Sequence, residues 1–296
     1  MLASLLKARG YDLRFNMLDI GALPIDGQTE PFHKLLETYP SSRLSGLEID
    51  PRLCDELNRK APATIRYYPC ALGRTEEKRR LYDTVHPMCA SLYAPDERYA
   101  DLFDDLEVMR LKGTSEISTV SLDRFVNDHG LGAIDFVKID IQGAELDVFQ
   151  GGISTLRNLL FVVCEVEFVP LYHGQPLFGD VDAWLRRHGM MFHKFPGIAW
   201  RMMKPFGMHR SADRPVQFLW GDAVFVRDLF GLDALSGEQM LKLAVLLDLY
   251  DSNDVALHLL RRYDAGHGTG LGDIYLHDLT VSGPWQSRPS EQRKQS

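Results

Sequence analysis

The sequence predicts an α/β fold built on a doubly wound, mostly parallel sheet. Three observations predict it. Strand-like and helix-like stretches alternate through short links from Phe15 to Leu72, the rhythm of successive βαβ units. The run 134–141 is almost continuously apolar at Phe136, Val137, Ile139 and Ile141, as in a strand covered on both faces. Acidic residues fall at the ends of candidate strands, at Glu48 and Asp50, Asp140, and Glu165 and Glu167. Open α/β sheets place their ligands at those carboxyl ends.

Taken in order, Leu2, Leu5, Leu6 and Ala8 give a short helical pattern ending at Gly10. A strand at 15–21 enters a loop containing Gly21 and Gly27, and a helix spans about 30–39. The second strand covers 43–50, and Pro51 opens the next helix with Leu53 and Leu57 inward. The third strand covers 64–72 and stops at Gly73. Residues 74–118 are charged and less regular, with a strand-like 80–83 and a helix near 99–106. They read as an insertion or edge hairpin. Residues 119–123 lead into a short helix at 124–129.

The central stretch then runs through Asp140 into a turn at Gln142-Gly143, and a helix covers about 144–149. Gly143 allows the turn without a Cβ penalty, and Glu145 lies in the first helical turn, where the dipole favours negative charge. Read by itself, Asp140 caps this turn or serves a ligand with equal ease. A helix at 154–158 precedes an apolar strand at 159–168, on which Glu165 and Glu167 share one face. A loop with Tyr172 and His173 follows, then a helix at 180–188. Closing strands at 190–195 and 223–227 flank a loop from 196 to 215. Two amphipathic helices at 236–250 and 253–263 come next, then a glycine-rich segment at 266–272. The last 15 or so residues are polar and read as disordered.

Composition narrows the function. The 296 residues carry a formal net charge of −8, and the only basic runs are Lys78-Arg79-Arg80 and Arg186-Arg187, each beside acids. A nucleic-acid surface needs a concentrated basic patch, so no nucleic-acid partner is expected. Cys54, Cys70, Cys89 and Cys164 stand apart without ligand spacing, which favours reduced thiols over a disulfide frame or zinc site. No signal-peptide core and no membrane span is present in the sequence pattern, and a cytoplasmic protein is expected.

Several motifs fall together. Leu18-Asp-Ile-Gly-Ala22, Gly46-Leu-Glu-Ile-Asp-Pro51, Cys70-Ala-Leu-Gly73, Thr119-Val-Ser-Leu-Asp123, Asp135-Phe-Val-Lys-Ile-Asp-Ile-Gln-Gly-Ala-Glu145 and Glu165 occur in one order. Together they resemble the FkbM family of S-adenosylmethionine-dependent methyltransferases, over roughly residues 13–228. The most distinctive element is DxxGxE after a buried strand. The resemblance implies a class I, Rossmann-like methyltransferase domain at 1–228 with a seven-stranded sheet whose last strand is antiparallel. A C-terminal helical extension at 229–280 and a tail at 281–296 complete the expected organisation.

The resemblance also implies roles. The cofactor is S-adenosyl-L-methionine, held by Asp19, Gly21, Ala22, Glu48, Asp50, Ala71 and Asp140. Glu48 takes the ribose hydroxyls, and the segment at Cys70-Ala71 lies along the adenine. The reaction is O-methylation of a hydroxyl on a sugar, glycan or secondary metabolite. Asp140, Glu165 and His173 are the candidate catalytic residues, because an alcohol needs its proton removed by a carboxylate or histidine or its pKa lowered by a cation. Asp140, Glu165 and Glu167 are a candidate oxygen-ligand set for Mg²⁺. One departure stands out: the first loop reads Gly21-Ala22-Leu23-Pro24-Ile25, where the family's usual run is Gly-Ala-Asn-x-Gly. That departure keeps a second reading open, a catalytically silent binding module. A nicotinamide dehydrogenase would share the sheet but needs a glycine-rich first turn, which is missing.

Overall fold

The computed structural model describes residues 1–22, 30–206 and 216–281. The loop expected beyond Ala22, the distal part of the loop expected at 196–215 and the tail expected to be disordered lie outside the described residues. The chain forms two compact units. The larger contains residues 14–22, 40–206 and 216–231, and the smaller contains 1–13, 30–39 and 232–281.

Among the described residues of the larger unit ten strands run in chain order: β1 (Asn16–Ile20), β2 (Arg43–Glu48), β3 (Ile65–Pro69), β4 (Ala71–Gly73), β5 (Glu77–Thr84), β6 (Leu111–Ser121), β7 (Phe136–Ile139), β8 (Phe161–Glu167), β9 (Met190–Arg201) and β10 (Gln217–Arg227). Seven form the main sheet in the order β3-β2-β1-β7-β8-β10-β9. β1 pairs in parallel with β2 and β7, and β7 in parallel with β8. β10 alone is reversed, antiparallel to both β8 and β9. This is the seven-stranded class I methyltransferase order. The chain winds outward in opposite directions from β1 and β7, so their carboxyl ends flank the topological switch point. Phe136, Val137 and Ile139 of β7 are fully buried, which explains the unbroken apolar run.

Three expectations need correction. The strand expected at 64–72 is broken at Cys70. Its first part, β3, stays in the main sheet, whereas β4 joins β6 and β5 in a separate three-stranded sheet. The insertion at 74–118 is therefore a hairpin of β5 and β6 that shares β4 with the main chain path. The closing strands are also longer than expected, because the pairing passes through Pro196. The ladder steps from Gly197–Asp222 to Lys194–Val224, so Phe195 and Pro196 together stand opposite Ala223. Such a bulge is where a strand tolerates the missing N–H of proline. The third correction lies in the smaller unit.

That unit packs the helices Leu2–Ala8, His33–Thr38, Gly237–Leu249, Asn253–His267 and Leu271–Val281. A third C-terminal helix stands where the sequence pattern reads as a glycine-rich segment and a polar tail. Gly268 adopts the left-handed conformation that closes the preceding helix (φ 66°). Asp264 of that helix then accepts from the N–H groups of Leu271 and Gly272 at 2.9 and 2.8 Å. The new helix is thus capped from the end of its predecessor. Asp248 ties the unit together. Its carboxylate accepts from the Met1 ammonium, the Leu2 N–H, Asn253 Nδ2 and the Tyr275 hydroxyl.

One cation organises the far end of the sheet. The Arg227 guanidinium, at the end of β10, donates to the carbonyls of Leu156, Arg157, Leu159, His188 and Gly189 at 2.5–3.4 Å. These oxygens include helix-terminal carbonyls that carry partial negative charge. Arg227→Met keeps the aliphatic stem but orphans the acceptors. It is expected to lower unfolding free energy by about 3 kcal/mol, on the scale of losing several partly buried hydrogen bonds, as read by urea denaturation.

Candidate active site

The site grows from the turn after β7. Asp140 follows the last residue of that strand, and its N–H donates to the Ile20 carbonyl at 3.0 Å. Gly21, the residue after β1, has φ +81°, and a Cβ there would lie 2.0 Å from the Asp140 carbonyl oxygen. Only glycine lets the two strand ends approach this closely. In the turn, Gln142 and Gly143 both have positive φ, 59° and 100°. Glu145 holds it: one carboxylate oxygen accepts from the N–H groups of Ile141 at 2.8 Å and Gly143 at 3.2 Å. Glu145 is only 3% exposed. Burial raises its pKa to about 7, against the lowering effect of those two donors.

Asp140 and Glu165 are brought together. Gln142 Nε2 donates to Asp140 Oδ1 at 3.0 Å and to Glu165 Oε2 at 2.5 Å. Glu165 and Glu167 occupy the same face of β8, as the alternation predicts, while Cys164 and Val166 point into the core. Burial pushes the Glu165 pKa well up, with further contributions from the charges of Asp140 and Glu167. Buried Glu167 is likewise raised, first by burial and then by Glu145, with an opposing hydrogen bond from Gln175. The Mg²⁺ expectation is not supported. No group of three or more His, Cys, Asp or Glu side chains among the described residues is arranged to hold a metal ion. An amide N–H pair lies between Asp140 and Glu165, presenting positive poles where a cation would need oxygen.

The residues expected to hold a cofactor line the neighbouring strand ends. Asp19 is the penultimate residue of β1, and it lies near enough to Tyr67 to add to the burial that raises that phenol's pKa. The N–H groups of Gly21 and Ala22 both donate to the Leu47 carbonyl at 3.0 Å, which carries the chain across the end of β2. Glu48 ends β2, and its Oε1 accepts from the Asp50 N–H at 3.0 Å, leaving Oε2 as an acceptor. Asp50 has a structural task, capping the helix Pro51–Lys60 through the Arg52 N–H at 2.9 Å. Cys70 N–H donates to the Glu48 carbonyl at 3.1 Å, so Ala71 at the start of β4 sits beside the Glu48 corner. Between Glu48 and Asp50, Ile49 is an exposed large apolar side chain.

His173 stands apart from the carboxylate pair's hydrogen bonds. Its side chain is exposed, and Nδ1 lies 3.9 Å from buried Asp96. Its neighbour Tyr172, which the sequence does not mark as a site residue, is fully buried and points to the turn: its hydroxyl lies 3.0 Å from both Gln142 Oε1 and the Cys89 carbonyl. The Ser91 hydroxyl donates to the Gln142 carbonyl at 2.7 Å. Gln142, Tyr172 and Ser91 are not legible as site residues in the sequence. The sole signal is that Gln142 lies inside the DxxGxE turn.

The methyltransferase FkbM domain model matches residues 20–191, and this chain belongs to the FkbM methyltransferase family. The 2-O-methyltransferase NoeI of Sinorhizobium fredii (strain NBRC 101917 / NGR234) is 39% identical over 178 residues, 56% of this chain and 69% of that protein. Among solved structures, the 23S rRNA methyltransferase ErmE is similar at 13% identity, covering 83% of this chain and 76% of its own, with a TM-score of 0.33. A DUF574-family protein from Streptomyces avermitilis is similar at 16% identity, covering 76% and 79%, with a TM-score of 0.34. Family membership sets the dehydrogenase reading aside.

The buried Glu145 makes stability depend on pH. Its folded pKa is raised, so the folded state binds the extra proton, and this stabilisation is complete below about pH 4.5 and is lost as pH rises through about 7. Glu145→Gln keeps an acceptor for the turn but removes the titration. Relative to wild type, the variant should gain about 2 to 3 kcal/mol between pH 4.5 and 8, measured by urea unfolding across that range. A constant difference at every pH would refute the burial argument.

Proposed function

We propose that this chain is an S-adenosylmethionine-dependent O-methyltransferase acting on a hydroxyl of a sugar, glycan or secondary metabolite. The strongest support is the pair Asp140 and Glu165, joined through one amide at the carboxyl edge of the sheet beside the β1–β7 switch point. The hydroxyl chemistry in the name of the relative NoeI supports the same reaction class.

The residues present fit the cofactor. Glu48 offers a carboxylate oxygen at the tip of β2, suited to two ribose hydroxyls. Exposed Ile49 and the Cys70-Ala71 corner give an apolar edge for a purine. The strand ends at Gly21 and Asp140 approach so closely that a Cβ at residue 21 is excluded, which keeps backbone rather than side chain at the methionine end. When bound, the cofactor supplies an electrophilic methyl group on a sulfonium.

The protein's own work is alignment and proton removal. Displacement at a methyl carbon demands an in-line oxygen, so most of the rate gain comes from holding the acceptor in place. Asp140, at the tip of β7, takes the hydroxyl proton as general base. Glu165 retains a proton beside it, and that avoids two adjacent negative charges in a partly buried site. His173, exposed and 3.9 Å from Asp96, takes no part in the hydrogen bonds that join Asp140 and Glu165.

Calorimetric titration with S-adenosylmethionine and its demethylated product tests the reading. Wild type should bind in the micromolar range, and Glu48→Ala should weaken binding tenfold or more, as expected for losing a charged acceptor to hydroxyl groups. Asp140→Asn should retain product binding and lose transfer by about 10² to 10⁴-fold. A folded wild-type protein that binds neither compound would defeat the proposal, and binding without transfer to any hydroxyl would favour the silent-module reading.

A further inference from the structure

We propose that Gln142 is a positioning residue, whose side-chain amide donates one hydrogen to each of Asp140 and Glu165 and so presents Asp140 to the acceptor as a proton acceptor. The inference rests on the methyltransferase reading for its purpose, and on hydrogen-bond geometry for its substance.

The side-chain amide and the backbone carbonyl of Gln142 are each engaged in one sense only. Its two Nε2 hydrogens meet two carboxylate oxygens, at 3.0 and 2.5 Å. Its Oε1 meets the Tyr172 hydroxyl at 3.0 Å. Its backbone carbonyl accepts from the Ser91 hydroxyl at 2.7 Å. Rotating the amide by half a turn would aim a carbonyl oxygen at both acids and two N–H groups at a hydroxyl, so the surroundings select the orientation. The backbone adds to the constraint. Gln142 has φ +59°, a left-handed conformation uncommon for a non-glycine residue. It is held there by Ser91 on one side and by the Glu145 clamp on the turn's N–H groups on the other. A side chain with ordinary backbone geometry would leave this position.

Tyr172 is itself fixed by the insertion between β5 and β6. Asp96 N–H donates to the Leu171 carbonyl and His173 N–H to the Ala94 carbonyl, at 2.9 and 2.8 Å. Tyr172 and Leu171 pack with Ala100, Phe103, Leu106, Met109 and Leu219 in a small core of their own. The bridge over the two acids is therefore wired to the segment that covers this edge of the sheet.

The chemical reason for such a bridge lies in the number of acids nearby. Glu165 faces Asp140 at the end of β7, Glu145 on the following helix, Glu167 on its own strand and Asp222 in register on β10. The Cys89 thiol lies near Asp140, and the Tyr172 phenol near Glu165 and Glu167. Among the hydrogen bonds described for the two carboxylates, the Gln142 amide is the donor they share. Donors to a carboxylate favour its charged form. Without the amide, burial, the neighbouring negative charges and the side-chain hydrogen bond between Glu165 and Asp140 act unopposed by it, and Glu165 holds its proton more tightly.

The test reads the carboxyl groups directly and needs no acceptor substrate. Protein carrying ¹³C at the Asp and Glu carboxyls is titrated by NMR as wild type, Gln142→Met and Tyr172→Phe, with the Glu165 signal assigned by its loss in Glu165→Gln. The half-protonation pH of Glu165 should rise by about one pH unit or more in Gln142→Met. Tyr172→Phe removes only the hydroxyl that holds Oε1, and should move the same signal in the same direction by less. Titration curves that superimpose on wild type in folded Gln142→Met, or in Tyr172→Phe should the methionine variant fail to fold, would overturn the role given to Gln142. The same samples are titrated with S-adenosylhomocysteine. Failure of wild type to bind would defeat the methyltransferase reading, while the carboxyl signals would still decide whether Gln142 bridges the two acids.

Discussion

Two backbone N–H groups pointing at one carboxylate oxygen hold the candidate site in shape. The turn after β7 contains consecutive residues with positive φ, Gln142 and Gly143, and such a turn has no ladder to satisfy its donors. Glu145 supplies the acceptor for Ile141 and Gly143 and is buried in doing so. The DxxGxE spacing follows from this geometry. Asp140 must stand at the strand tip, glycine must occupy the tighter of the two left-handed positions, and the acid must come back from the first helical turn. Remove the clamp and Gln142 loses the conformation that places its amide between Asp140 and Glu165.

The same arrangement concentrates acids in a small volume, and the fold manages them in different ways. Asp147, on the helix Glu145–Gln150, is buried but paired: Arg74, Arg79 and the Tyr93 hydroxyl all reach it. Those partners come from the β5 side of the hairpin and stitch it to the helix. For Glu145, Glu165 and Glu167 no such cation stands among the described ion pairs, and their pKa values are raised instead. Asp147 is thus neutralised by arginines and hydrogen-bonded by a tyrosine, whereas Glu145 and the acids at the strand ends are held with amides and N–H groups. The second pattern suits proton transfer, since a group that releases and regains a proton works best when neither form is locked by a permanent counter-charge.

Much of this fold is legible in the residues, because burial on both faces leaves an apolar run at β7 and acids at strand tips mark the carboxyl edge. The order of motifs carries the family. What escapes has physical causes that no local window shows. The break at Cys70 arises because β4 finds a partner in β6, over forty residues later, so one strand-like stretch serves two sheets. The third C-terminal helix starts on a cap supplied by Asp264 of its predecessor. β9 runs through Pro196 because a bulge opposite Ala223 removes the need for its N–H. At the site, Asp140 and Glu165 are readable as chemistry-bearing types at strand ends. Gln142 and Tyr172 are not, since their roles depend on a left-handed backbone and on a fully buried phenol. Asp50 is expected from the motif to touch the cofactor, and the structure adds a task that the motif does not show: its carboxylate caps the helix at Pro51.

Everything proposed for the chemistry depends on S-adenosylmethionine binding at the carboxyl edge spanned by Glu48, Gly21 and Asp140. A crystal structure with S-adenosylhomocysteine would show this at once. Ribose hydroxyls should lie on the Glu48 carboxylate and the sulfur should turn toward Asp140, with the Gln142 amide still between Asp140 and Glu165. A nucleoside bound elsewhere on the protein, with Glu48 untouched, would refute the placement.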